Sequence, residues 1–154
     1  SLENFFNIEI ICKNFPKAKF LHTFRNPLDS IISIYQSMLP DLSWAHSMEN
    51  ILSYLDTYYR VINYFKEKYP NIILDVNLED ISNESEKITK KIFSFCGLKW
   101  EKEILNFYKR KDLYSKTLSL KQIRSKIKKY DLQKYKPYYN LLHEYKNKYK
   151  WLNF

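Results

Sequence analysis

The fold is decided by one stretch of the chain, FPKAKFLHTFRNPLD, which runs from Phe15 to Asp29. The apolar run 19–24 within it indicates a short strand that is buried on both faces. A helix is predicted to begin at Asn26-Pro27, because asparagine is a good N-cap and proline suits the first helical position. The stretch therefore predicts a buried strand that delivers Arg25 to the start of a helix.

Helical and strand-like patterns alternate on both sides of this junction. Apolar residues recur at helical spacing from Ser47 to Tyr69, and Ile72 to Val76 has the pattern of a second buried strand. Two strands joined through helices imply parallel pairing by a right-handed crossover, which predicts the α/β class. Further helices are predicted over 4–14, 82–95, 100–110 and 131–149, and the stretch 111–130 is less regular.

The composition is that of a globular protein. With 154 residues, of which 18% are aromatic, the chain is predicted to form one domain with a core. The formal net charge of +9 favours a phosphate-rich partner such as a nucleotide. Only four of the 26 basic residues are arginine, so a general compositional bias toward lysine is the preferred explanation of the overall charge.

Motifs for metals, disulfides and membranes are missing from the sequence. Cys12 and Cys96 are predicted to be reduced core thiols, and no cysteine or histidine spacing predicts a metal site. No apolar run approaches the ~20 residues that span a bilayer, and residues 1–4 lack the basic start of a signal peptide. These features predict a cytoplasmic protein.

The junction around Arg25 has the properties of an anion site. In open α/β sheets, ligands bind beyond the carboxyl ends of the strands, where Arg25 and the helix N-terminus are expected. Ser33 lies seven residues after Asn26, and at about 100° per residue this spacing returns it to the same face of the helix. An arginine, a helix end and a hydroxyl can then hold one phosphate. Alternatively, Arg25 pairs with a surface carboxylate and Ser33 is an ordinary helical serine.

The same residues resemble the 3′-phosphate-binding segment of sulfotransferases. The closest likeness is to the tyrosylprotein and tetratricopeptide-linked type, and it extends over nearly the whole chain. The matching segments, in order, are FPKAK at 15–19, RNPLD at 25–29 with Ser33, LSWA at 42–45, YY at 58–59, DVNLED at 75–80, FCGLKW at 95–100, SLKQI at 119–123 and KY at 134–135.

This resemblance implies the fold, the donor and the roles of four residues. The fold would be a partial P-loop-type three-layer fold with a short parallel sheet flanked by several helices. The sulfuryl donor would be 3′-phosphoadenosine 5′-phosphosulfate, and the acceptor, which the sequence does not identify, would be a hydroxyl or amine. Arg25, Ser33 and Lys134 would bind the 3′-phosphate, and Ser119 would act at the transferring group. Lys134 as a surface lysine and Ser119 as a helix cap are the alternatives.

The family pattern is incomplete in this sequence. Sulfotransferases cradle the 5′-phosphosulfate in a glycine-containing loop, but the one glycine here, Gly97, follows a helix far from any such motif. The family's catalytic base also lies upstream of the matched segments. We therefore expect residues 1–154 to be the C-terminal part of a sulfotransferase-like domain that cannot catalyse transfer alone. An unpaired sheet edge would favour self-association.

Two other functional classes remain open at this point. Aromatic residues alternate with lysines in YKPYY (135–139) and YKNKYKW (145–151), a pattern that can stack on nucleic-acid bases or bind an anionic surface. The same pattern is typical of an amphipathic helix with inward tyrosines and solvated lysines. An inactive sulfotransferase remnant is the third possibility.

Overall fold

The computed structural model describes residues 3–110, 112 and 124–153. The chain divides into two compact units. The first unit comprises Ser1–Phe20, Phe24–Ile73 and Asp131–Phe154, and the second comprises Leu21–Thr23 and Leu74–Tyr130.

Three α-helices and several 3₁₀ turns lie in the described part of the first unit. The α-helices are α1 (Ile8–Asn14), α2 (Pro27–Ser37) and α3 (Met48–Lys68), and the 3₁₀ segments are Asn4–Asn7, Ser43–His46 and Lys136–Tyr145. The second unit contributes α4 (Leu78–Asn83), α5 (Ser85–Cys96) and the 3₁₀ segment Lys102–Lys109. The strands β1 (Phe20–Phe24) and β2 (Ile73–Asn77) pair in parallel. The predicted α/β class with a short parallel sheet is therefore confirmed.

The main core of the first unit joins α2 and α3 to the C-terminal segment. Its buried side chains come from α2 (Leu28, Ile31, Ile32), from α3 (Ile51, Leu52, Leu55) and from residues near the C-terminus (Tyr135, Leu142, Tyr149, Leu152). A second cluster places Ile8 of α1 against Ile62 and Phe65 of α3. The residues after 131 thus pack on the helix that begins just after Arg25.

The helix after Arg25 begins as the sequence predicts. The Asn26 side chain accepts a hydrogen bond from the Leu28 amide at 2.9 Å, and Pro27 occupies the first helical position. Met38 ends the helix in the left-handed region, with φ of 43°. At the end of α5, Gly97 also adopts a left-handed conformation with φ of 70°, which glycine tolerates without strain.

The prediction that both strands are buried on two faces is wrong. None of the residues of β1 is fully buried, and Leu21 and Phe24 keep 42% and 37% of their surface exposed. In β2 only Val76 is buried. Burial of an apolar strand depends on neighbouring layers, and a two-stranded sheet leaves each strand with one open edge. The exposed apolar surface of β1 agrees with the expected open sheet, while self-association stays a prediction.

Four predicted helices differ in detail from those observed. The predicted helix 4–14 is the 3₁₀ segment Asn4–Asn7 followed by α1. The predicted helix 82–95 is two helices, α4 and α5, because Glu84 between them leaves the helical region with ψ of 48°. The predicted helices 100–110 and 131–149 are 3₁₀ segments, Lys102–Lys109 and Lys136–Tyr145. Each of these segments nevertheless overlaps the helical stretch that the apolar spacing predicted.

Candidate functional site

Arg25 lies between the end of β1 and the start of α2, as predicted. Its Nε donates a hydrogen bond to the Ser30 hydroxyl at 3.2 Å, and that hydroxyl donates in turn to the Asn26 carbonyl at 3.0 Å. Arg25 is half-buried. These two bonds tie the guanidinium to the first turn of α2, at the end of the helix where the dipole favours an anion.

Lys134 and Tyr135 approach this junction from the other end of the chain. The Tyr135 ring is buried, with 6% of its surface exposed. The Lys134 Nζ lies 4.7 Å from the centre of this ring, and the Arg25 Cζ lies 6.0 Å from it. Both distances are within the range of cation–π attraction. One aromatic ring thus brings together two cations that are more than a hundred residues apart in sequence.

Polar contacts to the Tyr135 hydroxyl give this site a positive character. Hydrogen bonding from Ser33, followed by hydrogen bonding from Lys134, lowers the pKa of the Tyr135 phenol. Burial acts in the opposite direction, and the charges of Lys134 and Arg25 add smaller lowering effects. A phenol whose pKa falls despite burial has surroundings that stabilise negative charge on its oxygen.

A second tyrosine fastens the C-terminal segment to α2. The Tyr139 hydroxyl donates a hydrogen bond to the Asp29 carboxylate at 2.5 Å, and Asp29 is fully buried. The sequence also predicts that Asp29, at the third helical position, reaches back toward its cap, and that contact stays a prediction. The observed bond to Tyr139 holds the segment that carries Lys134 and Tyr135.

The structure brings together three of the four residues that the sequence nominated. Arg25, Ser33 and Lys134 all approach Tyr135. The fourth residue, Ser119, lies outside the described residues. Sequence reasoning missed the part played by the Tyr135 hydroxyl, although the Lys134-Tyr135 pair was noted as a motif.

A histidine and a carboxylate pair across the sheet in the second unit. The His22 Nδ1 lies 2.6 Å from the Asp75 Oδ1. The histidine side chain is 11% exposed and the aspartate side chain 50%. The pair links β1 to β2, and neither residue was singled out from the sequence.

The cysteines and the potential metal ligands are a further group of side chains with possible chemistry. Cys12 and Cys96 are free cysteines, and both are half-buried rather than deep in the core that the sequence predicted for them. Across residues 3–110, 112 and 124–153, no three histidine, cysteine or carboxylate side chains gather as metal ligands would. Within those ranges, no helix has both the length and the apolar character needed to cross a bilayer.

Comparison with known proteins identifies the family of this chain. Residues 1–102 match the family model described as "Sulfotransferase family". Because the match covers more than half of the chain, the chain belongs to the sulfotransferase family.

One relative among curated proteins extends the likeness beyond residue 102. An uncharacterized protein of Aquifex aeolicus (strain VF5) is 29% identical over 139 residues, which make up 88% of this chain and 18% of that protein. The chain thus spans about a fifth of the length of the relative that it matches.

Proposed function

We propose that residues 1–154 form the C-terminal part of a sulfotransferase domain and bind the 3′-phosphate of 3′-phosphoadenosine 5′-phosphosulfate. Arg25, Ser33 and Lys134 would be the phosphate ligands. The tyrosylprotein or tetratricopeptide-linked type is our proposal for the subgroup, on the basis of the motifs quoted above. Ser119 would act near the transferring group.

The observation that supports this proposal most is the meeting of distant residues at one place. Arg25 and Ser33 belong to the β1–α2 junction, whereas Lys134 comes from the C-terminal segment. Their common neighbour is the Tyr135 side chain, whose phenol pKa is lowered by Ser33 and by both cations. Two cations, a hydroxyl and a helix N-terminus provide the donors that a phosphate dianion requires.

In the proposed reaction, this site holds the sulfuryl donor in place. In sulfuryl transfer the acceptor oxygen or nitrogen attacks sulfur, the bond to the leaving phosphate oxygen breaks, and a base takes the acceptor proton. Adenosine 3′,5′-bisphosphate is the other product. Binding of the 3′-phosphate fixes the donor at a point far from the sulfur atom. The binding energy of this distant contact can orient the sulfuryl group for transfer.

Arg25→Ala is expected to weaken binding of adenosine 3′,5′-bisphosphate about 10- to 100-fold, because one charged hydrogen-bonding partner of the phosphate is lost. Isothermal titration calorimetry with the full chain measures this effect. Arg60→Ala is the matched control, since Arg60 is an exposed arginine that pairs with Asp56 on α3 at 3.2 Å. Equal affinities of Arg25→Ala and the unaltered chain would refute the proposed site.

The nucleic-acid alternative fits the structure less well. Most of the tyrosines that would stack on bases face inward: Tyr135 and Tyr149 are each 6% exposed and Tyr139 is half-buried, whereas Tyr138 is exposed. Lys136, Lys146 and Lys148 lie in solvent. Titration with a single-stranded oligonucleotide separates the two functions: tighter binding of the oligonucleotide than of the bisphosphate would favour the alternative.

A transfer assay tests whether these residues suffice for catalysis. We expect the 154-residue polypeptide to show no transfer of ³⁵S from the labelled donor to phenolic, glycan or amine acceptors. The reason is that its sequence contains no glycine loop for the phosphosulfate end. Turnover above a heat-denatured sample would show that the polypeptide is catalytically complete. Absence of turnover together with bisphosphate binding would also fit an inactive remnant.

A further inference from the structure

Tyr135 is the residue that links the proposed phosphate ligands to one another. It contacts Ser33 on α2 and the neighbouring Lys134, and its ring is a member of the main core. Its ring is thereby held in place, with the Lys134 Nζ 4.7 Å and the Arg25 Cζ 6.0 Å from its centre, and the Ser33 and Lys134 side chains also act on its hydroxyl. A hydroxyl on a ring that two cations flank lies in surroundings suited to an anionic oxygen.

We propose that the Tyr135 hydroxyl is itself a ligand of the bound phosphate, in addition to Arg25, Ser33 and Lys134. This inference rests on the proposed function, and it adds a residue that the sequence did not nominate. Before binding, the hydroxyl accepts hydrogen bonds from Ser33 and Lys134 and keeps both donors oriented. When a phosphate dianion enters, those donors turn to its oxygens and the phenol donates its own hydrogen. A site whose donors are already oriented loses less side-chain entropy on binding.

The packing of the Tyr135 ring and the hydrogen bonding of its hydroxyl can be tested separately by removing the hydroxyl oxygen alone. Tyr135→Phe keeps the buried ring, and with it the core contacts and the cation–π neighbours, but removes the hydroxyl. A matched control is provided by Tyr149→Phe. Tyr149 is also 6% exposed, belongs to the same core, and follows a lysine whose Nζ lies 5.6 Å from its ring.

The experiment measures binding of adenosine 3′,5′-bisphosphate and of adenosine 3′-monophosphate to the full chain and the two variants. We expect Tyr135→Phe to weaken both ligands by a similar factor of about 10 to 100, the effect of one hydrogen bond to a charged group. Tyr149→Phe should bind as the unaltered chain does. Similar losses for the two ligands are expected because both carry the 3′-phosphate.

Each outcome decides the question. If the unaltered chain binds while Tyr135→Phe binds equally well, or if both tyrosine variants lose the same affinity, the inference fails and the proposed function stands. If the unaltered chain binds neither ligand, the proposed function fails and the inference with it. If Tyr135→Phe does not fold, the unaltered chain labelled with ¹³C at the tyrosine Cζ replaces it as the test. The Tyr135 resonance should shift on binding of the bisphosphate while that of Tyr149 stays in place, and an unchanged Tyr135 resonance in the bound chain would overturn the inference.

Discussion

Replacement of Leu142 by alanine is expected to lower the free energy of unfolding by about 2–5 kcal/mol. Leu142 is fully buried, and it is the buried side chain of the 3₁₀ segment Lys136–Tyr145. Truncation removes apolar atoms from the core shared with α2 and α3, and it leaves a cavity that the surrounding helices fill only in part. Urea denaturation followed by circular dichroism measures the loss.

The neighbouring residue supplies the control for this substitution. Leu141 has the same side chain and lies in the same 3₁₀ segment, but it is 50% exposed. Leu141→Ala should therefore change the free energy of unfolding by no more than about 0.5 kcal/mol. Equal effects of the two substitutions would contradict the packing of this segment through Leu142.

Local signals in the sequence predict the helices that carry the site. The start of α2 is specified by Asn26 and Pro27, and their effect is exerted within a single turn. The bounds of α3 follow from apolar residues that repeat over many turns. In both helices, the residues whose interactions determine the helix lie close together in sequence. A local sequence pattern is therefore enough to predict these helices.

The strands and the C-terminal segment depend on information that a local pattern lacks. An apolar run such as 19–24 fits a strand covered on two faces, but whether Leu21 is covered depends on other layers. In the C-terminal segment, Tyr135, Leu142 and Tyr149 point inward, in keeping with the predicted amphipathic pattern. The same spacing does not decide between α and 3₁₀ hydrogen bonding, which differ by one residue per bond.

The residues of the candidate site also differ in whether the sequence alone predicts them. Arg25 and Ser33 were nominated by position on one junction, and Lys134 by resemblance to a family. The role of the Tyr135 hydroxyl became apparent only from the three-dimensional structure, because Ser33, one of the residues that act on it, lies on a helix about a hundred residues earlier. Its signal in the sequence, a tyrosine after a lysine, also occurs at Lys148-Tyr149, so the dipeptide alone did not distinguish the site.

Removal of the Tyr139 hydroxyl is expected to destabilise the protein by about 1.5–3 kcal/mol, the usual range for a hydrogen bond to a charged group. The hydroxyl donates to the fully buried Asp29 carboxylate, and such a carboxylate cannot replace a lost donor with bulk water at no cost. Tyr139→Phe retains the ring, so the measured change in urea denaturation reports on the hydrogen bond rather than on packing.

Tyr138→Phe is the matched control, because Tyr138 is adjacent to Tyr139 and 44% exposed. This substitution should change the free energy of unfolding by no more than about 0.5 kcal/mol. A double-mutant cycle with Asp29→Ala then isolates the pair, since substitutions that remove one shared interaction are not additive. Additive losses would mean that Tyr139 and Asp29 act independently. A coupling of about 1 kcal/mol or more would establish that this bond fastens the C-terminal segment to α2. Lys134 and Tyr135 would then owe their position beside Arg25 to a contact that does not touch the ligand.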